Sequence, residues 1–133
     1  MSIVALVPGI TGEAHTTVTD ANTAAAVGSG GITVFSTPMM VALMENAALR
    51  AVQPYLAEGE STVGTVVNIK HLAATPLGMN VRAVARLDTV EGRRLSFTVE
   101  AFDDREKIGE GAHERFIIAV DRFLARVQQK AQG

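Results

Sequence analysis

The pattern of apolar residues predicts one long helix in the first half of the chain. Between Thr37 and Pro54, apolar side chains cover nearly the whole circumference of a helix, which is typical of a buried helix. Thr is a favoured N-cap and Pro is favoured in the first turn, so we expect Thr37 to cap a helix that starts at Pro38. The helix should continue to about Val52 or Gln53, because Pro54 cannot extend it.

After this helix, apolar and polar residues alternate with the period of β-strands. Strands are predicted over 61–73, 79–90, 94–102 and 108–120, with a short helix after the last one. Glu91-Gly92 and Asp103-Asp104 supply turn residues between strands. The residues predicted to face inward are Val63, Thr65, Val67, Ile69 and His71, then Val81, Ala83, Ala85 and Leu87, then Leu95, Phe97, Val99 and Ala101.

The region before the helix has a weaker pattern. Residues 14–20 are rich in Thr and Val and predict a short strand. Residues 24–31 are rich in Ala and Gly, and we expect a flexible loop there. A helix that is apolar all round needs cover on every side, which a curved sheet wrapped around it or a second subunit would provide.

Composition and charge exclude several classes of function. A length of 133 residues with 47% hydrophobic residues indicates a single globular domain over 1–133. Without cysteine there is no disulfide, thiolate nucleophile or Cys-ligated zinc, which fits a cytoplasmic location. A net charge of −2 gives no basic surface for nucleic acid. No apolar run is long enough to predict a membrane span, and the first residues lack the cations of a signal peptide.

Three polar residues occupy positions where chemistry is expected. Glu45 lies in the apolar helix, and its neighbours three and four positions away cannot pair with a carboxylate. A catalytic Glu45 is therefore favoured over a glutamate that reaches solvent at the helix edge or is satisfied by backbone amides. His71 follows the apolar face of its strand and could meet Glu45 or Thr37 as a general base, or be a core histidine. Thr37 is explained by capping alone, or supplies a hydroxyl that attacks an acyl carbon or orients water.

The helix geometry limits how these residues can cooperate. Thr37 and Glu45 are eight positions apart, which corresponds to about 12 Å along a helix axis, and they do not share a face. A tight triad is therefore not expected within a regular helix, and the residues either act at separate points along a substrate or need a bend at Thr37. His113-Glu114 is followed by Ile117 where a zinc motif needs His, so no metal site is expected.

Three segments resemble a known family. Thr37–Ala47, Val66–Pro76 and Gly109–Arg115 resemble the fluoroacetyl-CoA thioesterase family of hot-dog proteins, and the string His-x-Ala-Ala-Thr-Pro is fairly specific. The resemblance extends from about Phe35 to about Lys130. Residues 1–34 match poorly.

The resemblance implies an α+β hot-dog fold, in which a central helix is wrapped by an antiparallel sheet. It also implies a homodimer whose sheets join edge to edge, with a tetramer as the alternative. The family's catalytic residues fall on Thr37, Glu45 and His71, and its substrate-contacting Gly and Arg fall on Gly64 and Arg115. From the strand pattern alone, Arg115 could equally point outward.

We therefore expect a hydrolase that releases a carboxylic acid and CoA from an acyl-CoA substrate, without metal or bound cofactor. His71 would act as general base, or as acid toward the leaving thiolate. Thr37 would be nucleophile or water-orienting group, and Glu45 nucleophile or second base. Two alternatives are a non-catalytic acyl-CoA or small-ligand binding protein and a structural homo-oligomer. A hot-dog hydratase is disfavoured because the helix lacks an Asp/His pair.

The segment before the helix bears on the choice of acyl group. The fluoroacetyl-specific enzyme that the chain resembles carries aromatic lid residues there, whereas this chain has Gly28 and Gly31. Glycine leaves space and mobility, so strict fluoroacetyl specificity is not expected. Ile32, Phe35 or a second subunit could supply the lid instead.

Overall fold

A computed structural model describes residues 5–133 as one antiparallel sheet with a long helix packed on it. Its elements are β1 (Thr11–Thr17), α1 (Ala24–Val27), α2 (Thr37–Val52), a 3₁₀ turn (Gln53–Tyr55), β2 (Glu60–His71), β3 (Asn80–Glu91), β4 (Arg94–Phe102), β5 (Lys107–Ala119) and α3 (Val120–Gln132). The strand order is β1-β3-β4-β5-β2, and α2 lies mainly against β1 and β3. This is the α+β architecture that the resemblance implies.

The N-terminus of α2 is capped by Ser36 and not by Thr37. The Ser36 side chain accepts a hydrogen bond from the backbone N–H of Met39 at 3.2 Å, and Thr37 is the first helical residue. The prediction was wrong by one position because Ser and Thr are both good caps and stand side by side. The Thr37 hydroxyl is therefore free for other contacts. The helix ends at Val52, as predicted.

Only one side of α2 is buried in this chain. The buried residues are Met40, Met44, Ala47, Ala48, Ala51 and Val52. On the other side Met39 is 37% exposed, and Ala42, Asn46 and Arg50 are also exposed. The expected burial of the whole helix is thus wrong for a single chain, because the sheet covers only the face that packs on it.

Strand β2 contains an irregularity that reverses its alternation. Its register with β5 shifts between Gly64 and Val66, so Thr65 has no single partner. Before the shift, Thr62 is buried and Gly64 approaches α2, so the predicted inward orientation of Val63 and Thr65 is wrong. An extra residue in one strand displaces the following side chains to the opposite face. Downstream of it, Val67, Ile69 and His71 pair with His113, Gly111 and Gly109 of β5, on the predicted face, but Val67 is 49% exposed and its predicted burial is wrong.

The predicted inner faces of β3 and β4 are confirmed, since every named residue is at most 2% exposed. The last strand and the helix after it are also confirmed. The expected flexible loop over 24–31 is partly wrong, because it begins with α1. Thr23 caps α1 by accepting a hydrogen bond from the backbone N–H of Ala26, and Gly28, at φ 78°, ends it. The first strand begins at Thr11, three residues before the expected start.

The packing of β1 on α2 depends on Gly12. A Cβ at Gly12 would lie 2.5 Å from the Ala47 carbonyl oxygen and 2.6 Å from the Ala51 backbone nitrogen. Both neighbours are helix backbone, which cannot move aside as a side chain can. The absence of a side chain therefore allows the two backbones to touch.

Replacing Gly12 by Ala should separate β1 from α2 and lower the free energy of unfolding by about 1–3 kcal/mol, the usual effect of overpacking. Urea denaturation followed by circular dichroism measures this change. The control is Gly31→Ala, where a Cβ would meet nothing within 4 Å. Equal urea midpoints for Gly12→Ala and the unaltered protein would contradict this account of the packing.

Candidate active site

Thr37 and His71 form a hydrogen-bonded pair at the first turn of α2. Thr37 Oγ1 lies 2.7 Å from His71 Nδ1. The Thr37 hydroxyl is available because Ser36 caps the helix, and His71 is in place because it ends β2, opposite Gly109 of β5. His71 was expected to contact Glu45 or Thr37, and within one chain it contacts Thr37. Either group can donate this hydrogen bond, so the hydroxyl can lose its proton to the ring or receive one from it.

The environment of His71 favours its neutral form. Burial lowers the pKa of His71 below its ordinary 6.5, and the Ala73 backbone partly opposes this shift. Within residues 5–133, nothing hydrogen-bonds to the buried Nε2 atom. An unpaired buried polar atom costs about 1–3 kcal/mol. A neutral ring with an unsatisfied nitrogen is suited to transfer a proton.

A cavity of about 350 Å³ opens beside this pair. Its lining comprises Thr37 and His71 together with Ala24, Ser29, Val34, Phe35, Leu72, Ala73 and Ala74. The segment expected to act as a lid thus borders the Thr–His pair, and Phe35 supplies an aromatic wall while being only 1% exposed. Ile32 is 68% exposed and does not line the cavity. The volume is at the lower end for ligand sites, which run to about 300–1,000 Å³, and suits a small acyl group.

Glu45 lies at a second point, next to Gly64 and Arg115. Its Oε2 atom is 3.7 Å from Nη1 of Arg115, so β5 supplies the counter-ion that the helix lacks. The Glu45 side chain is 39% exposed, which corrects the expectation that it is buried and unpaired. A Cβ at Gly64 would lie 2.7 Å from Oε2, so any side chain there would displace the carboxylate. The expected separation of Glu45 from Thr37 is thus found in the chain.

Arg115 points inward and is 6% exposed, so the alternative of an outward residue is wrong. Its Nε donates to Thr62 Oγ1 at 2.8 Å, and its Nη2 donates to the Thr62 carbonyl at 2.9 Å. Nη1 lies 3.2 Å from Nε2 of His113, a buried residue that was considered from the sequence only as part of a zinc motif. The alternation of side chains along β5 could have revealed both residues. His113 and Arg115 are two positions apart, so they lie on the same face of the strand, and they pair with the inward Phe97 and Leu95 of β4.

Comparisons with known proteins identify the class of this arrangement. The family pattern of FlK, the fluoroacetyl-CoA-specific thioesterase, matches residues 18–121. The fluoroacetyl-CoA thioesterase of Streptantibioticus cattleyicolor is 50% identical over 97 residues, which cover 73% of this chain and 70% of that protein. A solved structure of FlK has a TM-score of 0.89 at 39% identity, covering 96% of this chain and 98% of that one.

A Thermus thermophilus member of the thioesterase superfamily also has a TM-score of 0.89, at 32% identity, covering 98% and 96% of the two chains. Variants of FlK have been crystallised with fluoroacetate and CoA and with acetyl-CoA. The fold and the relatives define a hot-dog thioesterase, an enzyme that hydrolyses acyl-CoA thioesters. Within that class, the chain belongs to the fluoroacetyl-CoA-specific thioesterase family.

Residues 5–133 contain no cluster of three or more His, Cys, Asp or Glu side chains placed to hold a metal ion. In the same range, no helix is both long enough and apolar enough to cross a membrane.

Buried His113 and partly buried His71 predict how the free energy of unfolding depends on pH. Burial is the main cause that lowers the pKa of both His71 and His113 below 6.5. The unfolded chain therefore binds more protons than the folded chain between the lowered values and 6.5. The free energy of unfolding should fall as pH drops below about 6.5, and this loss should level off once the folded histidines are also protonated.

Urea denaturation between about pH 7.5 and pH 5.5 tests this, because ordinary carboxylates titrate mostly below that window. His113→Gln should reduce the pH dependence, whereas His15→Gln, which changes an exposed side chain, serves as control. Stability that is constant or increases as the pH is lowered through this window would contradict the assignment.

Proposed function

We propose that the chain hydrolyses short acyl-CoA thioesters at a site shared between two subunits. The observation that carries this proposal is the separation of two groups of residues within one chain. Gly64 and His71 are seven positions apart on β2, which corresponds to about 23 Å of extended strand. Thr37 and His71 are therefore too far from Glu45 and Arg115 for all four to act on one thioester in a single chain.

A second copy would bring the two groups together. Strand β2 is at the edge of the sheet, and its Val66 and Val67 are 44% and 49% exposed. Edge strands present unpaired N–H and C=O groups that another strand can pair with. Antiparallel pairing of two β2 strands about a two-fold axis between Val67 and Asn68 would place His71 of one copy opposite Gly64 of the other. The Thr–His pair would then face the Glu45 carboxylate of the second copy.

The proposed reaction adds water to the thioester carbonyl and breaks the C–S bond. Neutral His71 takes a proton from the Thr37 hydroxyl or from water, and returns it to the leaving thiolate to give free CoA. Glu45 serves as nucleophile or as a second base, and Arg115 and Gly64 contact the substrate. The N-terminus of α2, where Thr37 lies, favours the negative charge that develops on the carbonyl oxygen.

His71→Ala and Glu45→Ala should each lower kcat/KM for acetyl-CoA by at least about 100-fold, since each removes an acid–base or nucleophilic group. Release of free CoA thiol measures the rate. Asn46→Ala is the matched control, because Asn46 is the exposed neighbour of Glu45 on the same helix. Near-normal turnover by both folded variants would rule out these roles.

The same two variants also test the shared site. When they are refolded together in equal amounts, half of the dimers contain one chain of each kind, and each mixed dimer has one intact site. The mixture should therefore recover about a quarter of the normal activity, whereas each variant refolded alone should stay inactive. Absence of recovery, or sedimentation as a folded monomer of about 14 kDa, would contradict a shared site.

The segment before α2 predicts broad acyl selectivity. Gly28 and Gly31 place no aromatic ring over the cavity. A loose apolar pocket distinguishes acyl groups only weakly, because each methylene changes the free energy of the transition state by about 1–3 kcal/mol at best. We expect hydrolysis of several short or medium acyl-CoA esters with no strong preference for fluoroacetyl over acetyl. A ratio of the two kcat/KM values above about 10⁴ would contradict this.

Gly31→Phe extends this selectivity test. The position has open space, and its φ is outside the left-handed region, so a ring can be accommodated. The ring should increase the preference for the smallest acyl groups, whereas the matched Gly31→Ala variant should retain the original selectivity.

We also propose that residues 1–133 form one domain and that the protein is cytoplasmic. The continuous sheet from β1 to β5 supports the first proposal, and the cysteine-free composition is compatible with the second. Limited proteolysis and cell fractionation test them.

A further inference from the structure

His113 contacts Arg115 in a way that fixes the protonation of its ring. Nη1 of Arg115 lies 3.2 Å from His113 Nε2. A guanidinium can only donate hydrogen bonds and keeps its protons, so Nε2 must carry a lone pair. On the other side of the ring, Nδ1 lies 2.7 Å from the Val66 carbonyl oxygen, which can only accept, so Nδ1 must carry the hydrogen. Both contacts require the same neutral tautomer.

The surroundings hold the ring in this state. His113 is 2% exposed and stacks on Phe97, with ring centroids 6.1 Å apart. Burial, and to a smaller extent the charge of Arg115, lowers the pKa of His113, while the Val66 carbonyl and Glu45 oppose the shift. The ring is therefore neutral near pH 7. The charged groups that face it are Arg115 of its own strand and Glu45 of α2, whereas β2 presents a carbonyl and β4 a phenyl ring.

Nη1 of Arg115 is shared between His113 and Glu45. Its distance of 3.7 Å to Glu45 Oε2 is longer than a hydrogen bond, so the carboxylate is held only loosely. Without an acceptor on His113, the planar guanidinium would be anchored only to Thr62 and could tilt until Nη1 makes a direct, charge-assisted hydrogen bond to Glu45. Such a bond would stabilise the carboxylate and make it a weaker nucleophile or base.

We propose that His113 is a positioning residue that keeps Arg115 from pairing tightly with Glu45, so that the Glu45 carboxylate stays reactive. This inference rests on the proposed function of Glu45 and Arg115. It predicts that loss of the acceptor at Nε2 slows the chemical step more than it weakens substrate binding. The effect should therefore fall on kcat and leave KM nearly unchanged.

Two polar substitutions of His113 distinguish the role of Nε2 from that of Nδ1. In His113→Gln the side-chain amide extends as far as Nε2 does, so its oxygen can still accept a hydrogen bond from Arg115. In His113→Asn the amide extends only as far as Nδ1, so the acceptor for Arg115 is lost. Because a hydrogen bond to a charged group is lost, His113→Asn should lower kcat by about 10- to 100-fold, and His113→Gln should stay within about fivefold of the unaltered enzyme. Phe97→Leu, which removes the stacked ring but no acceptor, is the packing control.

Normal kcat in folded His113→Asn, or equal losses in the Asn and Gln variants, would overturn the proposal, and so would an effect confined to KM. If the unaltered enzyme hydrolyses no acyl-CoA ester, the proposed function fails instead, and the contact is then judged by NMR alone.

The NMR measurement uses the unaltered protein and also serves if the variants do not fold. Protonation of Nε2 by acid removes the same acceptor as His113→Asn does. The Arg115 Nε–H resonance should therefore shift with the same midpoint as the His113 ring protons. Different midpoints for the two signals would overturn the proposal.

Discussion

The close contact of α2 with β1 and β3 determines where every residue of the candidate site can lie. Gly12 of β1 allows the strand to touch the helix backbone at Ala47 and Ala51, and small residues such as Ala83 and Ala85 lie on the same inner face. Short side chains let a helix approach a sheet closely, and dense packing then prevents it from sliding or rotating. Once the helix is fixed, its first turn presents Thr37 and its third turn presents Glu45, to different parts of β2.

The sequence predicts those elements in which one physical signal dominates. Strands β3 and β4 alternate regularly, so their inward residues could be named in advance, and Pro54 marks the end of α2. Prediction fails where two choices are nearly equal in energy. Ser36 and Thr37 are nearly equivalent as helix caps. The bulge at Thr65 is also hidden in the sequence, because a residue without a register partner arises from pairing with a distant strand and leaves no local pattern.

The sequence singled out the residues proposed for the site, but it did not predict which of them contact each other. Glu45 and His71 stand out because a polar side chain interrupts an apolar pattern, and that signal is local. The contacts between these residues depend on the bulge in β2. The bulge places Gly64 next to the Glu45 carboxylate. His113 was overlooked as a contact of the site because its significance comes from Arg115, two residues away on the same strand face, and from Val66 on the neighbouring strand.

Because Ser36 and Thr37 make different contacts, the start of the helix does not depend on the Thr37 hydroxyl. Ser36 holds the first turn through its hydrogen bond to Met39, while Thr37 uses its hydroxyl on His71. A β-branched residue contributes little to helix propensity, and alanine is better by only a few tenths of a kcal/mol. Position 37 can therefore vary without loss of the cap, so a descendant of this fold could lose or regain the hydrogen bond to His71 in evolution while the scaffold persists.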